Sequence, residues 1–127
     1  SEKKSRISPT LSKWKNKIDG IFENQDFEAL VITDINQKIL WVNNGFTEMT
    51  GYSKKFAINK TPNFLQGENT QRTTKKRIRT KLELLEPFTE VITNYRKDKT
   101  PYKCEVKIIP LYKEKVTHFL AIERKVV

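Results

Sequence analysis

The sequence holds few of the side chains that carry nucleophilic or metal chemistry in enzymes. Among its 127 residues there is one cysteine, Cys104, and one histidine, His118. A single cysteine excludes an intrachain disulfide and a zinc site built on several thiolates. A thiolate nucleophile needs a neighbouring base or helix N-terminus, a histidine base needs a reaction partner, and the sequence shows neither. We therefore predict that Cys104 is a small buried hydrophobic residue, that His118 lies on the surface or on a sheet face, and that there is no catalytic or metal-binding residue.

The most basic segment of the chain lies in a predicted helix. The protein has 25 Lys and Arg against 15 Asp and Glu, a formal net charge of +10. Between residues 72 and 81 the basic side chains lie opposite an apolar stripe of Ile78, Leu82 and Leu85. No aromatic residue lies among them, so the stacking typical of proteins that bind single-stranded nucleic acids is missing. We predict a solvated helix face and no nucleic-acid partner, with the surplus charge suited to an acidic partner domain.

The N-terminal segment, residues 1–23, is predicted to be a linker followed by a helix. Residues 1–7 are polar, and Ser8 with Pro9 provides a helix start, since serine is a good N-cap and proline a favourable first residue. Apolar residues then recur three and four positions apart, as in an amphipathic helix of about four turns: Leu11, Trp14, Ile18 and Ile21. This helix either packs on its own domain or forms a dimer interface or a connector, and both hypotheses stay open.

The remaining residues, 24–127, predict one α+β domain. The predicted elements are two strands at 29–33 and 39–43, a short helix from Asn43 to Gly51, a helix from residue 69 or 70 to Leu85, and three strands at 88–97, 102–111 and 116–125. Separate runs of strands and helices favour an antiparallel sheet with the helices on one face. No apolar segment approaches the ~18 residues of a membrane span, so we expect a cytoplasmic domain.

This order of elements resembles the PAS domain, a sensory module of signalling proteins. The resemblance covers about residues 24–125 and is carried by the segments 31–34, 42–52 and 94–102. Within 42–52, the pattern Phe-x-x-Met-Thr-Gly-Tyr is a fairly specific mark of the family. The resemblance implies a five-stranded antiparallel sheet with short helices on one face, preceded by the N-terminal amphipathic helix. It also implies a regulatory, non-enzymatic part of a larger protein such as a sensor histidine kinase.

Within that family the chain is most similar to the light-oxygen-voltage (LOV) branch, which holds a flavin. The segment 64–70 resembles the helix that follows the reactive cysteine in those domains, and Gln66, Arg72 and Asn94 match flavin contacts. Five positions differ from the LOV pattern: Thr61, Pro62, Asn63, Cys104 and Glu123. Pro62 stands where the branch has its adduct-forming cysteine. The resemblance therefore predicts a LOV-like domain that lacks the reactive cysteine.

The changed positions also affect the expected cofactor. Losing a charged phosphate contact and a ring-edge amide would weaken flavin binding by roughly 10², so we predict no tightly bound cofactor, with flavin as the alternative. Glu123 has two interpretations: it turns to the sheet surface or pairs with a neighbouring cation, or it points into the pocket and bonds a ligand or Asn94. The pocket positions implied by the resemblance are Val31, Thr33, Phe64, Gln66, Arg72, Asn94, Cys104 and Glu123.

Three functions are compatible with this sequence. The first is a PAS module that senses a small ligand or mediates dimerisation and signal relay. The second is a flavin-binding light or redox sensor that forms no cysteinyl adduct. The third is an interaction domain without a pocket. We expect a homodimer formed through the N-terminal helix and the sheet, and an output domain outside this chain.

Overall fold

A computed structural model describes Trp14 and residues 26–127 of the chain. The described residues form five strands, three α-helices and one short 3₁₀ helix. In chain order these are β1 (Ala29–Asp34), β2 (Ile39–Val42), α1 (Asn44–Thr50), α2 (Lys54–Ala57), the 3₁₀ helix (Pro62–Leu65), α3 (Arg72–Glu83), β3 (Phe88–Tyr95), β4 (Pro101–Tyr112) and β5 (Val116–Val126). The α+β class, the antiparallel sheet and the helices between the second and third strands confirm the predicted fold.

The strands form one antiparallel sheet in the order β2-β1-β5-β4-β3. Its two edge strands, β2 and β3, are consecutive in the chain. The segment between them must therefore cross the whole width of the sheet, and all the described helices lie in that segment. This topology places the helices over one face of the sheet, with β5 at its centre.

Both faces of the sheet carry apolar residues. On the inner face, under the helices, Tyr102, Cys104 and Val106 alternate along β4 and join a buried cluster with Phe46 and Met49 of α1. On the outer face a second buried cluster gathers residues such as Leu30, Leu120 and Ile122, and Trp14 packs against it. The alternation in β4 was predicted, because strand side chains point to opposite faces in turn.

Helix α1 is fixed to β1 by hydrogen bonds at its N-terminus. The Asn43 side-chain oxygen accepts from the backbone N–H of Phe46 at 3.1 Å, as an N-cap does, and also from the N–H of Leu30 at 2.9 Å. At the other end Gly51, with φ of 82°, terminates the helix through a hydrogen bond from its N–H to Thr47. A left-handed residue at this position favours glycine, so the predicted end of this helix is confirmed.

Helix α3 is shorter than predicted, Arg72–Glu83 instead of residue 69 or 70 to Leu85. At its start, the Thr70 hydroxyl accepts from the N–H of Gly67 at 3.0 Å and donates to the carbonyl of Thr93 at 2.6 Å. Thr70 therefore closes a turn against β3 and does not begin the helix. At its end, Leu85 has a φ of 55°, which is incompatible with a continuing helix.

Of the predicted N-terminal helix, Leu11, Ile18 and Ile21 lie outside the described residues. Trp14 is half-buried, and its indole N–H donates to the Thr117 hydroxyl of β5 at 3.1 Å. In the described part of the chain, no helix is both long enough and apolar enough to cross a membrane.

Candidate functional site

A cavity of about 180 Å³ lies between the inner face of the sheet and the helices. Every strand of the sheet contributes to its wall, which is mainly apolar. The apolar lining comprises Val31, Ile39, Phe46, Pro62, Leu65, Ile78, Leu82, Ile92, Val106, Ile108, Phe119 and Ala121. An apolar cavity with a few polar groups is the usual form of a small-molecule site.

Polar side chains interrupt the wall at two places. Near the surface, polar residues of the β1–β2 turn and of the segment around the 3₁₀ helix line it, the half-buried Gln37 and Gln66 and the exposed Thr61 and Asn63. In the sheet, Thr33 of β1, Asn94 of β3 and Glu123 of β5 line it, and all three are buried. The buried polar groups of the wall are therefore one hydroxyl, one amide and one carboxyl, each held on a strand.

Glu123 is the most unusual residue of the cavity. It lies in the central strand β5, opposite Ala29 of β1 and Val106 of β4, and is 9% exposed. Its Oε1 accepts a weak hydrogen bond from the Cys104 thiol, with Sγ and oxygen 3.9 Å apart. Burial raises the pKa of its carboxyl to about 7, against a small opposing effect of the thiol. Of its two interpretations, the structure supports the inward one.

Tyr102 and Cys104 extend this buried polar group along β4. The Tyr102 hydroxyl is buried, and Asn94 lies opposite it in register. Burial, followed by the nearby Cys104 and Glu123, raises the pKa of Tyr102 well above its ordinary value. Burial, followed by the charge of Glu123, likewise raises the pKa of the Cys104 thiol. Both groups are thus neutral at physiological pH.

The structure brings five of the eight predicted pocket residues to the cavity wall. These are Val31, Thr33, Gln66, Asn94 and Glu123. Their role in ligand binding stays a prediction.

The other three predicted residues lie elsewhere. Phe64 is half-buried in an aromatic cluster with Tyr52 and Phe56, at centroid distances of 5.0 and 5.4 Å. Arg72 is exposed at the first residue of α3. Cys104 is fully buried and does not line the cavity, but its thiol contacts Glu123, which does.

Several wall residues were not predicted as site residues, among them Gln37, Phe46 and Phe119. Gln37 lies in the β1–β2 turn with a φ of 66°. A glutamine in the sequence gives no indication of this left-handed conformation, so its position on the wall could not be predicted. Phe46 is part of the family pattern, and the alternation of β5 would have indicated an inward Phe119, so these two could have been found from the sequence.

Ion pairs fix α3 to the edge of the sheet. Glu90 of β3 accepts from Lys81 at 2.6 Å and from Arg77 at 3.1 Å. These contacts, Arg77 first, hold the pKa of Glu90 below its usual range. Two of the basic residues between 72 and 81 therefore help to hold α3 against the sheet. This agrees with the prediction that these side chains form a solvated helix face and not a nucleic-acid site.

The fold and the cavity between its sheet and helices define a small sensory domain of the PAS class. The family model described as "PAS domain" matches residues 28–124 of the chain. The chain therefore belongs to the PAS domain family. Its structure is similar to the LOV domain of a blue-light activated histidine kinase from Erythrobacter litoralis, with a TM-score of 0.74 and 31% identity. That similarity covers 81% of this chain and 98% of the LOV domain.

Curated relatives agree with this assignment. A blue-light photoreceptor of Listeria monocytogenes is 35% identical over 102 residues, 77% of this chain and 40% of the relative. Blue-light-activated histidine kinase 2 of Erythrobacter litoralis is 33% identical over 100 residues, 75% of this chain and 29% of the relative. The chain thus spans well under half the length of these relatives. It is a PAS/LOV sensory domain, a signalling module homologous to parts of photoreceptors and histidine kinases.

One prediction needs correction. We predicted a LOV-like domain set apart by the loss of its reactive cysteine, and this description is wrong. It relied on one position, Pro62, whereas the similarity to a LOV domain extends over 81% of the chain. The supported description is a PAS domain with LOV homology that contains one cysteine, Cys104, in strand β4.

Proposed function

We propose that this domain is a flavin-binding sensor and that its cavity holds the ring system of the flavin. The observation that carries the proposal is the placement of Gln66, Asn94 and Glu123 on the wall of a mainly apolar cavity. One similar structure, at 28% identity and a TM-score of 0.76, is described by the words "Flavin Analogue Sheds Light on Light-Oxygen-Voltage Domain Mechanism". The flavin would supply light absorption and redox chemistry.

The residues of the cavity fit a flat heteroaromatic ring. Apolar side chains of the sheet, such as Val31, and of α3, such as Ile78, lie on its wall and can contact the faces of a ring. The amides of Asn94 and Gln66 each offer donors and an acceptor, which suits a ring edge with alternating N–H and carbonyl groups. Glu123 fits the same edge when it is protonated, because only then can it donate a hydrogen bond.

We expect a structured absorption band in the blue region for the protein as purified, or after addition of excess riboflavin. Asn94→Leu, which keeps the side-chain size and removes the amide, should weaken binding about fivefold, because a neutral hydrogen bond contributes about 1 kcal/mol. The control is Thr89→Val on the same strand, which is exposed and does not line the cavity. The measurement is absorbance, with a check of the denatured supernatant for released flavin.

A flat spectrum in both conditions would contradict the flavin proposal. It would favour the prediction that no cofactor is tightly bound and leave a PAS module with a colourless ligand. Equal affinities for wild type and Asn94→Leu would place the flavin outside the described cavity.

The sensory role implies a route by which a signal leaves the domain. We propose a regulatory, non-enzymatic module in the cytoplasm that acts as a homodimer and passes its signal to an output domain outside this chain. The interface would include Leu11, Trp14, Ile18 and Ile21 together with the outer face of the sheet. Trp14 supports this proposal: it packs edge-on against His118, with ring centroids 4.9 Å apart, and remains only half-buried.

The double variant Trp14→Ser/Ile18→Ser should convert the dimer to a monomer, because it removes apolar area from the interface. Light scattering measures the mass directly. The control is Phe56→Ser, which removes an aromatic ring that is 41% exposed on α2, on the helical side of the sheet. A wild-type monomer, or a double variant that stays dimeric, would exclude this interface.

A further inference from the structure

The carboxyl of Glu123 is buried, and no cation pairs with it among the residues that the structure describes. It faces the cavity from the central strand of the sheet, and the residues paired with it in β1 and β4 are Ala29 and Val106. The three ion pairs found in the described part of the chain join other residues. A buried carboxylate with no cation is strongly disfavoured, and such a group takes up a proton instead.

Among the described residues, the titratable and charged groups around Glu123 bring no positive charge to its carboxyl. From β4, the Cys104 thiol touches it and the Tyr102 hydroxyl lies near it, and both are neutral. From the segment before β1, Glu28 adds a negative charge near Cys104. From β3, Asn94 brings only an amide.

The neighbouring cations of β5 lie on the surface and do not reach the carboxyl. Arg124 and Lys125 are exposed, and the guanidinium of Arg124 pairs with Glu105 at 3.0 Å. From the helical side of the cavity come apolar residues such as Phe46 and Ile78. Burial therefore outweighs the weak hydrogen bond from Cys104, and the neutral form of Glu123 is favoured.

We propose that protonated Glu123 donates a hydrogen bond to an acceptor atom of the ligand in the cavity, and that loss of this proton releases the ligand. The inference rests on the proposed flavin site and deepens it, since it makes binding depend on pH. The acceptor is a ring carbonyl oxygen or an unprotonated ring nitrogen. An ionised carboxylate can only accept hydrogen bonds, so it would repel the same atom.

The pH range follows from the burial of the carboxyl. Burial raises the pKa of Glu123 to about 7, so the competent, protonated fraction falls tenfold for each pH unit above that value. When only one form binds, the apparent dissociation constant rises in inverse proportion to that fraction. Between pH 5.5 and 8.5 the affinity should fall by up to roughly thirtyfold.

The test uses riboflavin, because it lacks the phosphate group of flavin mononucleotide, which itself titrates near pH 6. Dissociation constants are measured by flavin fluorescence from pH 5.5 to 8.5 for wild type and for Glu123→Gln. The glutamine amide donates at any pH, so its affinity should be constant across the range. His118→Gln is the matched control: it removes the chain's one histidine, on β5 but outside the cavity wall, and should keep the wild-type profile.

Three outcomes would overturn the inference. The first is a wild-type dissociation constant that does not change with pH. The second is a dissociation constant of Glu123→Gln that rises with pH as steeply as that of wild type. The third is loss of the pH dependence in His118→Gln. Failure of riboflavin to bind at any pH would overturn the flavin proposal instead. In that case the protonation of Glu123 can be measured without a ligand, from the infrared carbonyl band of a protonated carboxyl. We expect this band in wild type at pH 6, a weaker band at pH 8.5, and no such band in Glu123→Gln. Its absence from wild type at pH 6 would refute the protonated state.

Discussion

Replacement of Glu123 by glutamine should make the protein's stability much less dependent on pH. In the folded chain, burial raises the pKa of this carboxyl to about 7 from an ordinary value of 4.5. As pH rises above 4.5, the unfolded chain loses this proton first and is favoured. The stabilising effect of protonated Glu123 is therefore complete below about pH 4.5 and is lost as pH rises through 7.

The expected size of this effect is large for a single side chain. A shift of one pKa unit corresponds to about 1.4 kcal/mol, so the wild type should lose about 3 kcal/mol of unfolding free energy between pH 4.5 and 8 from this group. The glutamine of Glu123→Gln has no proton to lose. The unfolding free energy of the variant should therefore rise relative to that of wild type by the same amount across this pH range. Urea denaturation at several pH values measures both free energies.

A matched control distinguishes the effect of replacing a buried carboxyl from the effect of replacing any carboxylate. Glu105→Gln removes a carboxylate from the neighbouring strand, where it is partly exposed and paired with Arg124. Exposed ion pairs contribute about 0–1 kcal/mol, so this variant should follow the wild-type profile closely. If the unfolding free energies of wild type and Glu123→Gln changed with pH in parallel, Glu123 would already be ionised in the folded protein. That result would contradict the buried, neutral carboxyl.

The fold was predictable because its signals are local and repeated. Alternation in β4 identified Tyr102, Cys104 and Val106 as inward residues, and Gly51 marked the end of α1. The start of α3 was not predictable in the same way. Thr70 bonds to Thr93, 23 residues later in the chain, and such a long-range contact leaves no periodic signal.

The candidate site was predictable only in part, for a related reason. Residues on strands, such as Thr33 and Asn94, reach the cavity because register fixes their direction. Phe64 lies in the 3₁₀ segment, where the side-chain direction depends on packing against Tyr52 and Phe56. Glu123 had two interpretations because an exposed and a buried glutamate look alike in a sequence, and only the paired strands on both sides of β5 decide between them.

Substitution of Gly45 by alanine should destabilise the protein by about 3 kcal/mol or more. In most helices this change stabilises, since alanine is favoured over glycine by about 1 kcal/mol. Here a methyl group at Gly45 would lie 1.7 Å from the backbone carbonyl oxygen of Glu28. That oxygen cannot easily retreat, because the Glu28 N–H is bonded to the Glu123 carbonyl at 2.8 Å.

The clash would therefore push α1 away from β1, and the effect should extend to the cavity. Phe46, the next residue, is fully buried and lines the cavity wall, so a displaced helix changes the space available to a ligand. Urea denaturation gives the loss of stability, and riboflavin titration gives the change in binding. Thr47→Ala, exposed on the same helix, should change stability by no more than about 0.5 kcal/mol. A Gly45→Ala protein as stable as wild type would mean that α1 and β1 are farther apart than described, and that the close approach of their backbones does not set the position of Phe46.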